Sequence, residues 1–101
     1  ANPTSMRAAL DALVAMPARR RFAVLGVMAE LADSADEHEA VLAYAGVRDI
    51  QVIAVGTNLY GITPTDDPVA ALGSLAADDA VLVKASRAAG LERVTAQLVA
   101  L

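Results

Sequence analysis

Three short aliphatic runs constrain this chain more than anything else in it: Phe22-Ala23-Val24-Leu25, Ile50 to Val55, and Ala80-Val81-Leu82-Val83. Each has the length of a strand, is almost wholly apolar, and is separated from the next by enough residues for a helix. A strand without a polar face must be buried on both sides. Helical crossovers bury both sides of a parallel sheet. The pattern predicts one three-layer αβα, Rossmann-like domain with a mainly parallel sheet, over residues 1–101.

Composition narrows the functional classes. Hydrophobic residues make up 56% of the chain but only three are aromatic (Phe22, Tyr44, Tyr60), so the core is aliphatic and Ala-rich helices can approach the sheet closely. A net charge of −4 argues against a nucleic-acid or anionic-membrane surface. There is no Cys, which excludes disulfides and thiolate metal sites, and the single His38 cannot form a His-based metal cluster alone. No apolar run approaches the ~18 residues of a membrane span, so the expectation is a cytoplasmic protein without membrane insertion.

Local signals set the order of elements. Asn2 and Pro3 are an N-cap and a first helical residue, followed by Met6, Leu10, Leu13 and Val14 at helical spacing up to Pro17. Ser34 and Glu37 predict a capping box for a second helix. Its inner face carries His38, Val41, Leu42 and Ala45, and Gly46 is its expected stop. Leu59 to Ile62 reads as a short edge strand, and Asp67-Pro68 opens a short helix. A last helix is expected after Gly90, with Leu91, Val94, Leu98 and Leu101 on one face.

In an open α/β sheet, anionic ligands sit at strand-to-helix edges, where helix N-termini present free N–H groups. Two segments suit such an edge: Asn2-Pro3 at the first helix start, and Lys84-Ala85-Ser86-Arg87 after the last strand. Asn2 suits a nucleotide contact, a helix cap, or both. Lys84 and Arg87 suit either an anionic ligand or open solvent, and Ser86 either a ligand or a turn. Glu30, after the first strand, is a candidate site residue or an exposed loop carboxylate. His38 reads first as a packed side chain and second as a site residue. Arg19-Arg20-Arg21 reads as a solvated strand entry, and Tyr60 as a core or edge-packing residue.

Five blocks in fixed order carry a resemblance: Asn2 to Ala9; Ala23-Val24-Leu25-Gly26 with Met28, Glu30 and Leu31; Ser34 with His38; Val52 to Gly56; and Val81 to Arg87 with Gly90 to Val94. Together they resemble the C-terminal domain of the Mur ligases, in the branch that adds D-alanyl-D-alanine. The resemblance implies ATP-dependent amide formation in peptidoglycan synthesis, with ATP and Mg2+ as cofactors. Its implied partners are the N-terminal and central domains of the same ligase, D-alanyl-D-alanine and UDP-N-acetylmuramoyl-tripeptide. It assigns Asn2 and Pro3 to ATP, and Lys84, Ser86, Arg87, Gly90 and Leu91 to substrate, with no catalytic or metal-binding residue on this domain. It also implies that the chain is a fragment without the family's usual first strand, inactive and without tight cofactor binding alone.

Several positions depart from the family pattern. Val27 stands where an acidic residue is usual and Ala32 where Gly is usual; Ala85, Ala88 and Ala89 interrupt a run usually richer in glycine. Two other classes stay open on the residues: a stand-alone Rossmann-like nucleotide- or small-ligand-binding module, and a non-catalytic interaction domain. A central domain bearing a Gly-Lys-Thr phosphate loop would decide for the ligase.

Overall fold

The computed structural model describes residues 2–31 and 34–84. In chain order the elements are α1 (Pro3–Ala15), β1 (Arg20–Leu25), a 3₁₀ turn (Ala29–Leu31), α2 (Ala35–Gly46), β2 (Ile50–Ala54), α3 (Pro68–Leu72) and β3 (Asp79–Lys84). The strands form one parallel sheet in the order β2-β1-β3, with Arg21 opposite Ile50 and Arg20 opposite Asp79. The fold is α/β and Rossmann-like, as the apolar runs require.

Alternation along the strands sorts the core into two layers. Ala23 and Leu25 of β1, Ile50 and Ala54 of β2, and Ala80 of β3 pack under Met6, Leu10 and Leu13 of α1 and Val41 and Ala45 of α2. The other face of the sheet presents Phe22, Val24, Ile53 and Val55 to Leu72 of α3. Alanines at the first interface let two helices lie close to the sheet, in keeping with the scarcity of aromatic residues.

α1 runs antiparallel to β1, because the Arg21 guanidinium at the start of β1 donates to the carbonyls of Leu13 (3.2 Å) and Met16 (2.7 Å) at the end of α1. The Leu13 carbonyl also accepts from the capping Met16 N–H (3.2 Å), and a cation at these closing carbonyls answers the negative end of the helix dipole. A second strap joins α1 to α2. The Tyr44 hydroxyl donates to Asp11 (2.6 Å), and the Arg48 guanidinium stacks 3.4 Å from the Tyr44 ring centre.

The three arginines stand at an exposed strand entry, as expected, and the structure adds partners to it. β1 starts at Arg20, and Arg20 makes a bidentate pair with Asp79, directly opposite on β3, at 3.1 and 2.7 Å. It also donates to the Ser74 carbonyl (3.0 Å), while the Ala76 N–H donates to Asp79 (2.8 Å). Arg19 adds longer ion pairs to Asp78 and Asp79. The charge run thus fixes the β1–β3 register at the amino end of the sheet.

Three local expectations change. Leu59 to Ile62 forms turns, because Gly61 at φ +83° cannot continue a strand; the parallel bridge between Val55 and Thr65 lies on either side of it. α2 ends at Gly46 as expected, but Gly46 is not left-handed; that conformation comes three residues on at Asp49 (φ +58°), a residue type whose short polar side chain tolerates it. Ser34 caps α2 by accepting from Glu37 N–H (3.2 Å), but its own N–H donates to the Leu31 carbonyl (2.9 Å), so the reciprocal half of a capping box has no donor to serve. The complete box is at α1, where Asn2 and Ser5 exchange bonds of 2.9 and 3.2 Å. The helix expected after Gly90 lies outside the described residues.

The Arg20 pair, with the Ala76 N–H, holds the Asp79 carboxyl at about 2, below its ordinary 3.8. A carboxyl depressed in the folded state contributes stability above its unfolded pKa and loses that contribution as pH falls through the folded one. Asp79→Asn is therefore expected to lower the melting temperature at pH 7. The gap to the native sequence should close as pH falls from about 4 to about 2. Circular-dichroism melts across that range measure it, and a gap of constant size would show that the pair's charge is not what stabilises.

Candidate functional site

Parallel strands end on a common side, and here the carboxyl ends of β1, β2 and β3 lead into Gly26, Val55-Gly56 and the residues after Lys84. The chain leaves β1 toward α2 on one face and leaves β2 toward α3 on the other. These two connections diverge from the neighbouring ends of β1 and β2. Val27, Gly56, Thr57, Asn58, Leu59 and Pro64 line an open hollow of about 530 Å³ there. A neighbouring hollow is lined by Gly56, Pro64, Thr65 and Asp66. Gly56 allows the turn, since its φ of +71° lies in the left-handed region that favours glycine.

Beneath this rim, two buried polar side chains hold the backbone that follows β1. His38 on α2 is fully buried. Its Nε2 accepts from the Met28 N–H (2.9 Å), and its Nδ1 lies 2.7 Å from the Ser34 carbonyl. A carbonyl only accepts, so Nδ1 carries the proton and the ring is the neutral Nδ1–H tautomer. Tyr60, also fully buried, donates its hydroxyl to the Gly26 carbonyl (2.7 Å). The two rings meet edge to face, 4.9 Å between centres. Burial pushes the Tyr60 hydroxyl up to about 12. It stays a donor across the ordinary pH range.

The candidate residues distribute as follows. Asn2 and Pro3 are half-buried at the N-terminus of α1, which the antiparallel course of that helix places at the carboxyl edge of the sheet. Asn2 Oδ1 is occupied by the Ser5 N–H, whereas its side-chain nitrogen has no partner among the described residues. Lys84 ends β3 at the same edge, half-buried, and its carbonyl accepts from the Gly26 N–H (3.2 Å). Lys84 follows Ala80 and Leu82 in alternation, which puts it on the α1 side of the sheet. Glu30 is exposed in the 3₁₀ turn. Ser86, Arg87, Gly90 and Leu91 lie outside the described residues. Among the described residues, no three His, Cys, Asp or Glu side chains come together as a metal site. Sequence reasoning passed over Thr57 and Asn58; the turn signal Val55-Gly56 at a strand end could have found them.

Removing the Tyr60 hydroxyl would leave the Gly26 carbonyl buried without its donor. Tyr60→Phe is expected to cost about 1–3 kcal/mol in urea unfolding, although the ring's packing is kept. A cost near zero would mean that water replaces the hydroxyl.

Over residues 1–87 the chain matches the sequence profile described as "Mur ligase, glutamate ligase domain". It is 36% identical, over 126 aligned positions, to the UDP-N-acetylmuramoyl-tripeptide–D-alanyl-D-alanine ligase of Mycobacterium leprae (strain TN); the alignment covers 90% of this chain and 24% of that enzyme. The chain thus spans about a quarter of the length of that curated relative, which carries extra residues inside the matched span. No solved structure matches significantly. The profile covers every element of the carboxyl edge described above, from the cap of α1 to the end of β3. On the extent of that match, the chain belongs to the Mur ligase family, as its glutamate ligase domain.

Proposed function

We propose that this domain is the C-terminal, substrate-closing part of a cytoplasmic ATP-dependent ligase that joins D-alanyl-D-alanine to UDP-N-acetylmuramoyl-tripeptide. The observation that carries the reading is the 36% identity, across 90% of the chain, to a ligase of that name. The fold is compatible with it. A helix N-terminus at Asn2 and a cation at Lys84 share one sheet edge and one face, an arrangement suited to anionic groups.

Within this reading, Asn2 and Pro3 face ATP, and the Asn2 side-chain nitrogen, without a partner among the described residues, is a donor of the kind a nucleotide acceptor needs. ATP and Mg2+ supply the activation of the tripeptide carboxylate, and the metal is held by the ligase's other domains. Lys84, which ends β3, and Ser86, Arg87, Gly90 and Leu91, which follow it in sequence, receive D-alanyl-D-alanine. This domain contributes orientation and charge complementarity: it brings the dipeptide amine to the activated carbonyl and excludes water as it closes. The chain on its own turns nothing over.

Two measurements test the reading. The full-length protein should release ADP only when the tripeptide nucleotide and D-alanyl-D-alanine are both present. In that protein Arg87→Ala should raise the KM for the dipeptide about 10–150-fold, the loss of a charge-assisted hydrogen bond, and leave the KM for ATP in place. A rise confined to ATP would assign Arg87 to the nucleotide. ADP release that ignores the dipeptide would overturn the function.

A further inference from the structure

His38 and Tyr60 grip the chain on either side of one residue. Tyr60 holds the Gly26 carbonyl and His38 holds the Met28 N–H. Between them, the Val27 N–H has no hydrogen-bond partner among the described residues, and Val27 lines the hollow between the ends of β1 and β2. Gly26 is in turn bonded to the Lys84 carbonyl. The Gly26-Val27-Met28 backbone is thus tied to α2, to the turn after β2, and to the end of β3. Two buried polar side chains cost more to bury than the aliphatic residues that fill the rest of this core. The groups they satisfy are the two that set the direction of the Val27 peptide.

We propose that His38 and Tyr60 are positioning residues that hold the Val27 N–H open at the crevice as a hydrogen-bond donor to the carboxylate or peptide carbonyl of the incoming dipeptide. The proposal rests on the function proposed above. A peptide N–H held in place before the ligand arrives loses little conformational freedom on binding, so its hydrogen bond carries no ordering cost. The tie from Gly26 to Lys84 puts this donor beside the strand end assigned to the same substrate. ATP, assigned to the α1 cap, is not expected to sense the grip.

The test uses the full-length ligase and steady-state kinetics with the two substrates varied separately. His38→Leu keeps an apolar filling and deletes both ring bonds; Tyr60→Phe deletes one hydroxyl. Each should raise the KM for D-alanyl-D-alanine about tenfold, the effect of one misplaced hydrogen bond. The KM for ATP should hold to within about twofold. His38→Gln, whose amide oxygen can accept from the Met28 N–H, should recover most of the dipeptide affinity. An unchanged dipeptide KM in Tyr60→Phe, or an equal rise for ATP, overturns the proposal even though the ligase is active. If the native protein does not use the dipeptide at all, the proposed function falls, and the grip is read by amide hydrogen exchange in the same protein. Faster exchange at Met28 in His38→Leu, by about tenfold or more, supports it, and equal exchange overturns it.

Discussion

β1 has no side on which water can satisfy it. It lies between β2 and β3 and is covered above and below by helices, with Ala23, Val24 and Leu25 fully buried. Ladder bonds answer its middle, but its two ends need other partners, because an unpaired buried backbone group costs as much as a lost hydrogen bond. The rest of the domain is arranged around that requirement. At the amino end, Arg20 and Arg21 turn outward to Asp79 and to the closing carbonyls of α1. At the carboxyl end, Lys84, Tyr60 and His38 take up the polar groups of Gly26 and Met28. The same satisfaction that lets the strand be buried fixes the loop that faces the crevice.

Much of this was legible in residue order alone. Runs apolar on both faces suit the strands of a parallel sheet covered on both sides, so the sheet and its two helical layers followed from three segments. Asn2-Pro3 and Asp67-Pro68 announced helix starts because a cap and a fixed φ act within a few residues. The contacts that escaped are those whose partners are distant. Arg20 and Asp79 are 59 residues apart, and nothing near the arginines tells a solvated run from a strand clamp. His38 showed its inward face through Val41 and Ala45, yet its bond to Met28 depends on how α2 docks. Leu59 to Ile62 imitated a strand in composition, and the backbone of Gly61 decides otherwise.

Membership of the Mur ligase family adds a reason for the asymmetry between the two ends of the sheet. The amino end is closed by ion pairs and helix-end carbonyls, all satisfied internally. The carboxyl end keeps donors at Val27 and Asn2 that have no partner among the described residues, beside a hollow between diverging connections. Stability is concentrated at one end and openness at the other, as expected for a sheet whose ligands meet strand ends.

The chain contains no tryptophan and two tyrosines, and the placement of those two rings has a practical consequence. Tyr44 joins α1 to α2 through Asp11, and Tyr60 sits in the grip beneath the β1 loop. Each phenol is hydrogen-bonded to a different acceptor, a carboxylate in one case and a peptide carbonyl in the other. Absorbance and emission in the near ultraviolet therefore come from two chromophores in distinct surroundings, one half-exposed on the helical layer and one fully enclosed. The domain carries its own optical probe of the crevice floor, and movement of the loop after β1 can be followed without attaching a label.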